Sequence, residues 1–198
     1  MKPTLTYDEH RTIVLGIDPS MRSTGICFLG PNLEYVVFKT ISTRKGDEHL
    51  SSIRSQLSDC YCEQRHECRF RFDIVTAVEL NATKAAFGGR GFSLGEVSGV
   101  IKITLHSIDG SMPIEVSISS ARKYFMGMLP VQDAKRKVLI AVNRLLATAG
   151  RMPVDSDEAD AFIVANYTRK QLGLNSHKAL KEDYCEPTNK RKRTTVSK

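Results

Sequence analysis

The sequence lacks the long apolar segments that would place a chain in or across a membrane. None of its 198 residues belongs to an uninterrupted apolar run near the ~18 residues that a transmembrane helix needs. The first ten residues contain no apolar core of the kind found in signal peptides. We therefore expect a cytoplasmic protein without a membrane partner. In such a reducing compartment its five cysteines would remain thiols.

Internal repeats are also absent, and the length corresponds to about one domain. The net charge is +7, which suggests a polyanionic partner. The distribution is uneven, because nine basic and three acidic residues give residues 169–198 a charge of +6 and leave about +1 elsewhere. We predict a loose arm at 1–11, a folded domain at 12–172 and a basic, disordered tail at 173–198. The basic run 190–193 fits a nuclear localisation signal, a DNA-grasping tail or a solubilising end.

Apolar periodicity predicts an α/β protein. Short β-branched runs between turn residues predict strands, and apolar residues three or four positions apart predict helices. The first three strands would form an antiparallel meander, and the others alternate with helices. The predicted strands are 12–18, 24–29, 33–41, 73–80 and 112–117, and the predicted helices are 48–62 with fraying near 62–67, 92–108, 119–127, 133–149 and 156–172.

Four acidic residues stand at the ends of these elements. Asp18 and Glu79 close apolar strands, whereas Asp157 and Asp160 begin the last helix. Residues at i and i+3 share one helix face, and carboxylates that end apolar strands are exposed at a sheet edge. If the four converge, they form an all-oxygen site suited to Mg²⁺ or Mn²⁺ and to phosphodiester cleavage. The alternative is that they are helix caps and solvating groups.

The order of these elements and acids resembles the RuvC family of Holliday junction resolvases, which have the ribonuclease-H-like fold. Residues 15–25, Leu-Gly-Ile-Asp-Pro-Ser-Met-Arg-Ser-Thr-Gly, resemble that family's opening motif. Residues 77–79 resemble its second acidic strand end, and residues 156–162 its C-terminal acidic pair. The likeness spans residues 12–172. It implies a bacterial or phage protein with a five-stranded mixed sheet, an antiparallel meander plus parallel strands, flanked by helices.

The resemblance also implies a catalytic site. Its four carboxylates would be Asp18, Glu79, Asp157 and Asp160, holding two Mg²⁺ ions, or Mn²⁺ in their place. Some family members have a histidine where this chain has Asp157, so a mechanism with a histidine base is not expected here. Lys123 and Lys135 match basic positions near the scissile phosphate, where a lysine would stabilise transition-state charge. The alternative for both lysines is ordinary helix surface charge.

The resemblance assigns DNA contacts and a dimer to further segments. The Gly-rich loop 81–91 would face the substrate, with Phe87 as an aromatic wedge, whereas Phe92 would begin the following helix. That helix matches the dimer-forming helix of the family, and a two-fold dimer supplies two sites for paired symmetric nicks. Alternatively, the helix packs only on its own sheet. The DNA-binding candidates are Lys84, Phe87, Arg90, Arg122, Lys123, Lys135, Arg136 and Lys137.

A cluster of zinc-type ligands lies outside the resemblance. Cys60, Cys62, His66 and Cys68 fall within nine positions, and zinc favours such ligands. The C-x-C spacing departs from the usual C-x₂₋₄-C, and on a helix Cys60 and Cys62 would point about 200° apart. We expect thiols on a helix end rather than a zinc site.

The leading functional hypothesis is a metal-dependent endodeoxyribonuclease that resolves four-way junctions. The strongest alternative is a ribonuclease-H-like nuclease that acts on other branched DNA, flaps or RNA–DNA hybrids. A non-catalytic junction-binding protein is a third hypothesis, which the presence of all four acids disfavours. A sugar kinase or actin-like ATPase shares the core fold, but such proteins need two copies of this domain, and 198 residues hold one.

Overall fold

The computed structural model describes residues 7–43, 48–68, 72–80, 89–128 and 132–183, with side chains from Leu94 onward in the fourth range. This part contains five strands, five α-helices and a short 3₁₀ helix. None of these helices is long and apolar enough to cross a membrane. The elements are β1 Thr12–Asp18, β2 Ser23–Leu29, β3 Val36–Ser42, α1 His49–Glu67, β4 Asp73–Glu79, α2 Gly89–Asp109, β5 Ile114–Val116, α3 Ile118–Met126, α4 Ala134–Thr148, α5 Ser156–Gln171 and the 3₁₀ helix Lys181–Asp183.

The strands form one mixed sheet in the order β3-β2-β1-β4-β5. β1 to β3 are antiparallel neighbours, whereas β4 pairs in parallel with β1 and β5 pairs in parallel with β4. The predicted five-stranded mixed sheet is therefore confirmed. Because β1 and β4 are parallel, their carboxyl-terminal residues Asp18 and Glu79 come to the same edge. The antiparallel register places Gly25 of β2 opposite Asp18.

Helices cover both faces of the sheet because side chains alternate along each strand. Ile13, Leu15 and Ile17 of β1 face α1 and α2, where they join one buried apolar cluster. Val14 belongs to the other cluster, which contains α3, α4 and α5. The alternation turns Asp18 towards that second side. One buried strand thus supplies core residues to two layers and a carboxylate to the edge.

Three element boundaries differ from the prediction by three residues or more. β3 begins at Val36, not at residue 33, because residues 31–35 turn: the Gly30 N–H donates to the Tyr35 carbonyl (2.8 Å), and the Tyr35 N–H donates to the Asn32 side chain (3.2 Å). α1 does not fray near residue 62 but continues to Glu67. α2 begins three residues early, at Gly89.

The segments at both ends of the described domain pack against it. The Glu9 carboxylate accepts hydrogen bonds from the buried Arg169 guanidinium and from the Asn175 N–H. The Asn166 side chain bonds the backbone of His177 in both directions (2.9 and 2.6 Å). The predicted loose arm and disordered tail are therefore wrong for residues 8–11 and 173–183. Residues 1–6 and 184–198 lie outside the described ranges.

Candidate metal and nucleic-acid site

The four acids that end the elements converge at the carboxyl edge of β1 and β4. Glu79 lies close enough to Asp18 to help raise the pKa of its carboxyl group. The Lys135 ammonium of α4 lies 2.8 Å from Asp157 Oδ1, 3.6 Å from Asp160 Oδ2 and 4.0 Å from Asp18 Oδ2. Every acid thus contacts another member of the group or the shared lysine. Strand ends and a helix start that are distant in sequence form one site.

The first turn of α5 is capped by a residue outside this group. Asp155 is the N-cap, and its carboxylate accepts hydrogen bonds from the N–H groups of Asp157 and Glu158, both at 2.9 Å. Glu158 in turn accepts from the Asp155 N–H at 3.1 Å, which completes a capping box. The interpretation of Asp157 as a helix cap is therefore wrong. Its carboxylate is available to the site.

Two glycines bring α5 close to the sheet. A Cβ on Gly25 would lie 2.2 Å from the carbonyl oxygen of Asp157 and 2.9 Å from the Glu158 nitrogen. A Cβ on Gly16 would lie 2.3 Å from the Ala161 carbonyl oxygen. Because these neighbours are backbone atoms, only glycine fits at either position without moving the helix. Gly25 is the cross-strand partner of Asp18. Its lack of a side chain therefore determines the distance between Asp18 and the start of α5.

An arginine braces the buried acid of α5. The Arg122 guanidinium of α3 donates from Nε to Asp160 Oδ1 (3.2 Å) and from Nη2 to Asp160 Oδ2 (2.7 Å). This two-point contact fixes both the position and the plane of the Asp160 carboxylate. The sequence marked Arg122 as a DNA contact. Its pairing with Asp160 was missed, since no local pattern links residues 38 positions apart.

Negative charge exceeds positive charge in the site. Burial, the hydrogen bond to Glu79 and the charges of Glu79 and Asp160 together raise the pKa of Asp18 from 3.8 to about 9, against the opposing effect of Lys135. Burial alone would lower the pKa of Lys135, but the hydrogen bond to Asp157 and the neighbouring carboxylates raise it. One ammonium and one guanidinium thus face four carboxyl groups.

This donor set fits a hard divalent cation. Carboxylate oxygens are the ligands that Mg²⁺ prefers, and the raised pKa of Asp18 reflects burial and crowded carboxyl groups, whose charge a bound cation would offset. Among the described residues, no group of three or more His, Cys, Asp or Glu side chains is arranged so that it could hold a metal ion. The ammonium of Lys135 contacts three of the acids instead. Because the Lys135 side chain is half-exposed, solvent can take up its ammonium, and the residues fit the metal once the lysine is displaced.

The remaining predicted residues lie around this centre or outside the described structure. Lys123 is exposed on α3, one residue beyond Arg122, and forms no hydrogen bond or ion pair with the four acids. Arg136 and Lys137 are exposed on α4 next to Lys135. The other candidates were placed in the loop and the helix start that follow β4. Lys84 and Phe87 lie outside the described residues, and Arg90 and Phe92 are described only through their backbone in α2.

The cysteines form a separate group on α1. Cys62 is exposed, Cys60 is half-buried and Cys68 is buried, and all three are free thiols. The Cys68 sulfur contacts the Tyr35 hydroxyl. Together with His66, they do not form a group that could hold a metal ion within the described structure.

Comparisons with known proteins place this architecture in the context of solved structures. No protein-family model matches the chain, and no curated protein matches its sequence at a significant level. Thermus thermophilus RuvC is similar in structure, with a TM-score of 0.57 at 18% identity, over 85% of this chain and 99% of that one. T. thermophilus RuvC in complex with a Holliday junction substrate gives a TM-score of 0.58 at 19% identity, over 86% and 100%. The chain therefore has the ribonuclease-H-like fold of RuvC, as its motifs led us to expect.

Proposed function

We propose that this protein is a metal-dependent endodeoxyribonuclease that resolves four-way DNA junctions by paired symmetric nicks. The observation that carries the proposal is the convergence of Asp18, Glu79, Asp157 and Asp160 at one sheet edge, around Lys135. The likeness to RuvC, which has been solved with a Holliday junction substrate, supports the choice of substrate.

The four carboxylates would hold two Mg²⁺ ions, with Mn²⁺ as a substitute. Bound there, the ions would stabilise charge on the attacking and leaving oxygens of a phosphodiester. Arg122 keeps Asp160 oriented through its two-point contact. Bound cations would replace Lys135 as the partner of these carboxylates, and its ammonium would then be available to a scissile phosphate at the same edge. Lys123, exposed on α3, would add positive charge to the bound strand.

The dimer that paired nicking needs would form through α2. Val97, Ile101 and Leu105 bury one stripe of this helix. Gly95, Gly99 and Ile103, also four residues apart, form the opposite stripe. Within the described structure nothing lies within 4 Å of a Cβ on either glycine, and Ile103 is 68% exposed. Small residues beside an exposed isoleucine suit close packing against the same helix of a second copy, in a two-fold pair.

The test is cleavage of end-labelled four-way junctions, linear duplexes and flaps, with Mg²⁺ and with EDTA. We expect paired symmetric nicks on junctions with Mg²⁺ only. Asp18→Asn should reduce cleavage at least about 10³-fold, because a neutral amide cannot replace the carboxylate, while junction binding persists. Asp59→Asn is the matched control, since Asp59 is exposed on α1, across the sheet from the site.

Three outcomes would change the assignment. Equal cutting of duplex, flaps or RNA–DNA hybrids would move the protein to the alternative nuclease class. Junction binding without cleavage at any Mg²⁺ or Mn²⁺ concentration would make it a non-catalytic junction-binding protein. Full cleavage by Asp18→Asn would refute the carboxylate site itself.

A further inference from the structure

Two tyrosines and two lysines form a cationic cluster on α3, α5 and the segment that follows α5. The Lys178 ammonium lies 3.2 Å from the centre of the Tyr124 ring. The Lys170 ammonium lies 5.9 Å from that centre and 5.7 Å from the Tyr167 ring centre. The two rings pack edge to face at 5.7 Å. We call these four residues, Tyr124, Tyr167, Lys170 and Lys178, the Tyr–Lys cluster.

The positive charge of this cluster is not neutralised within the described structure. Neither Lys170 nor Lys178 pairs with a carboxylate there, whereas Lys39 pairs with Glu63 and Lys102 with Glu115. Burial and the charge of Lys170 lower the pKa of Lys178, a sign of two ammonium groups held close together. Both lysines are exposed, so an external anion could reach them.

The cluster continues the surface of the acid site. Asp160 and Tyr167 are seven residues apart on α5 and therefore share one helix face, about 10 Å apart along the axis. α3 crosses this face and contacts it twice. Arg122 bonds Asp160, and the Tyr124 ring packs against the Tyr167 ring. Exposed Lys123 lies between those two α3 residues. Positive side chains thus extend from the acid edge across α3 to the cluster.

We propose that the Tyr–Lys cluster binds the phosphate backbone of a DNA arm that leads away from the cleavage edge. This inference rests on the proposed function and adds a contact surface to it. At about 3.4 Å per nucleotide, a distance of 10–15 Å along α5 corresponds to roughly three or four nucleotides from the cut. The tyrosine rings hold the ammonium groups in place through cation–π contacts, and the phosphates supply the missing negative charge.

The experiment compares two double variants with the same change in net charge. Lys170→Gln/Lys178→Gln removes the cluster's charge, and Lys39→Gln/Lys102→Gln removes two charges from ion pairs elsewhere. Junction binding is measured in EDTA at several salt concentrations, with thermal melting and Mg²⁺-dependent cleavage for each protein. The cluster variant should lower the slope of log Kd against log salt by about two, since each lysine–phosphate contact contributes about 0.9. The control variant should keep the wild-type slope.

The remaining outcomes overturn the proposal and separate it from the proposed function. An unchanged slope in the cluster variant, with or without a lower melting temperature, means that the cluster serves only the fold. An equal fall in both variants means that net charge, not this surface, determines binding. In either case paired nicking by the wild type leaves the proposed function intact. Failure of the wild type to bind or cut junctions would refute both.

Discussion

β1 and α5 run antiparallel, and the two ends of this pair handle buried charge in opposite ways. At one end, the fully buried Arg169 donates to the Glu9 carboxylate and to the carbonyl oxygens of Thr12 (2.9 Å) and Asn175 (2.7 Å). At the other end, four carboxyl groups face only Lys135 and Arg122 among the described residues. The paired charges at the first end tie remote segments of the chain together, whereas the excess of carboxyl groups at the second end is what the proposed cation site requires.

Removing the buried charge of Arg169 should have the largest effect, which is a loss of folding stability. Arg169→Met removes the charged partner of Glu9 and the donor to the Thr12 and Asn175 carbonyl oxygens, and breaking such a buried pair costs about 3–5 kcal/mol. Urea unfolding of the variant measures this loss. Lys39→Met is the control, because the carboxylate partner of Lys39, Glu63, is more than half exposed, and losing such a surface pair costs at most about 1 kcal/mol. Equal losses in the two variants would contradict the comparison.

Displacing the start of α5 should mainly affect the acid end. The methyl group of Gly25→Ala would meet the Asp157 backbone and push that turn away from Asp18. We expect cleavage to fall about 100-fold, the scale for a misplacement near 1 Å, with weaker Mn²⁺ binding by calorimetry. Gly30→Ala is the control, since its methyl meets only the Tyr35 side chain at the distant end of β2. Unchanged Mn²⁺ affinity in Gly25→Ala would show that Gly25 does not position the acids.

Removing a positive charge from the acid end should have the smallest effect. It should strengthen the binding of a cation, whereas Gly25→Ala should weaken it. Lys135→Met removes the ammonium that contacts three carboxylates, so a cation no longer has to displace it. We expect Mn²⁺ to bind the DNA-free protein about tenfold more tightly, or roughly 1.4 kcal/mol, while cleavage falls. Lys137→Met, an exposed site on the same helix, should leave the affinity unchanged. Weaker binding by Lys135→Met would mean that the lysine helps to hold the cation.

The sequence predicts the elements that depend on local patterns of residues. It misses the contacts between residues that are far apart in the chain. β-branched runs that end in Asp18 and Glu79 define two strands, and the order of elements allows only a few sheets. The charge count places Arg169 in the basic C-terminal segment 169–198, yet its side chain is fully buried. Its partner Glu9 lies 160 positions away, and no periodicity connects them. The late start of β3 follows from a turn closed by the Gly30–Tyr35 backbone hydrogen bond and by the bonds from the Tyr35 N–H to Asn32.

The antiparallel packing of α5 on β1 has a consequence for how the protein is made. Glu79 and Asp157 follow Asp18 by 61 and 139 positions, so the candidate site needs contacts between remote parts of the chain. A chain still emerging from the ribosome has Asp18 and Glu79 early, but it lacks Asp157 and Asp160 until its last helix is synthesised. Until then, the surface of the sheet at Gly16 and Gly25, against which α5 packs, is uncovered. The activity that we propose for this protein is thus withheld until α5 has packed onto β1 and β2.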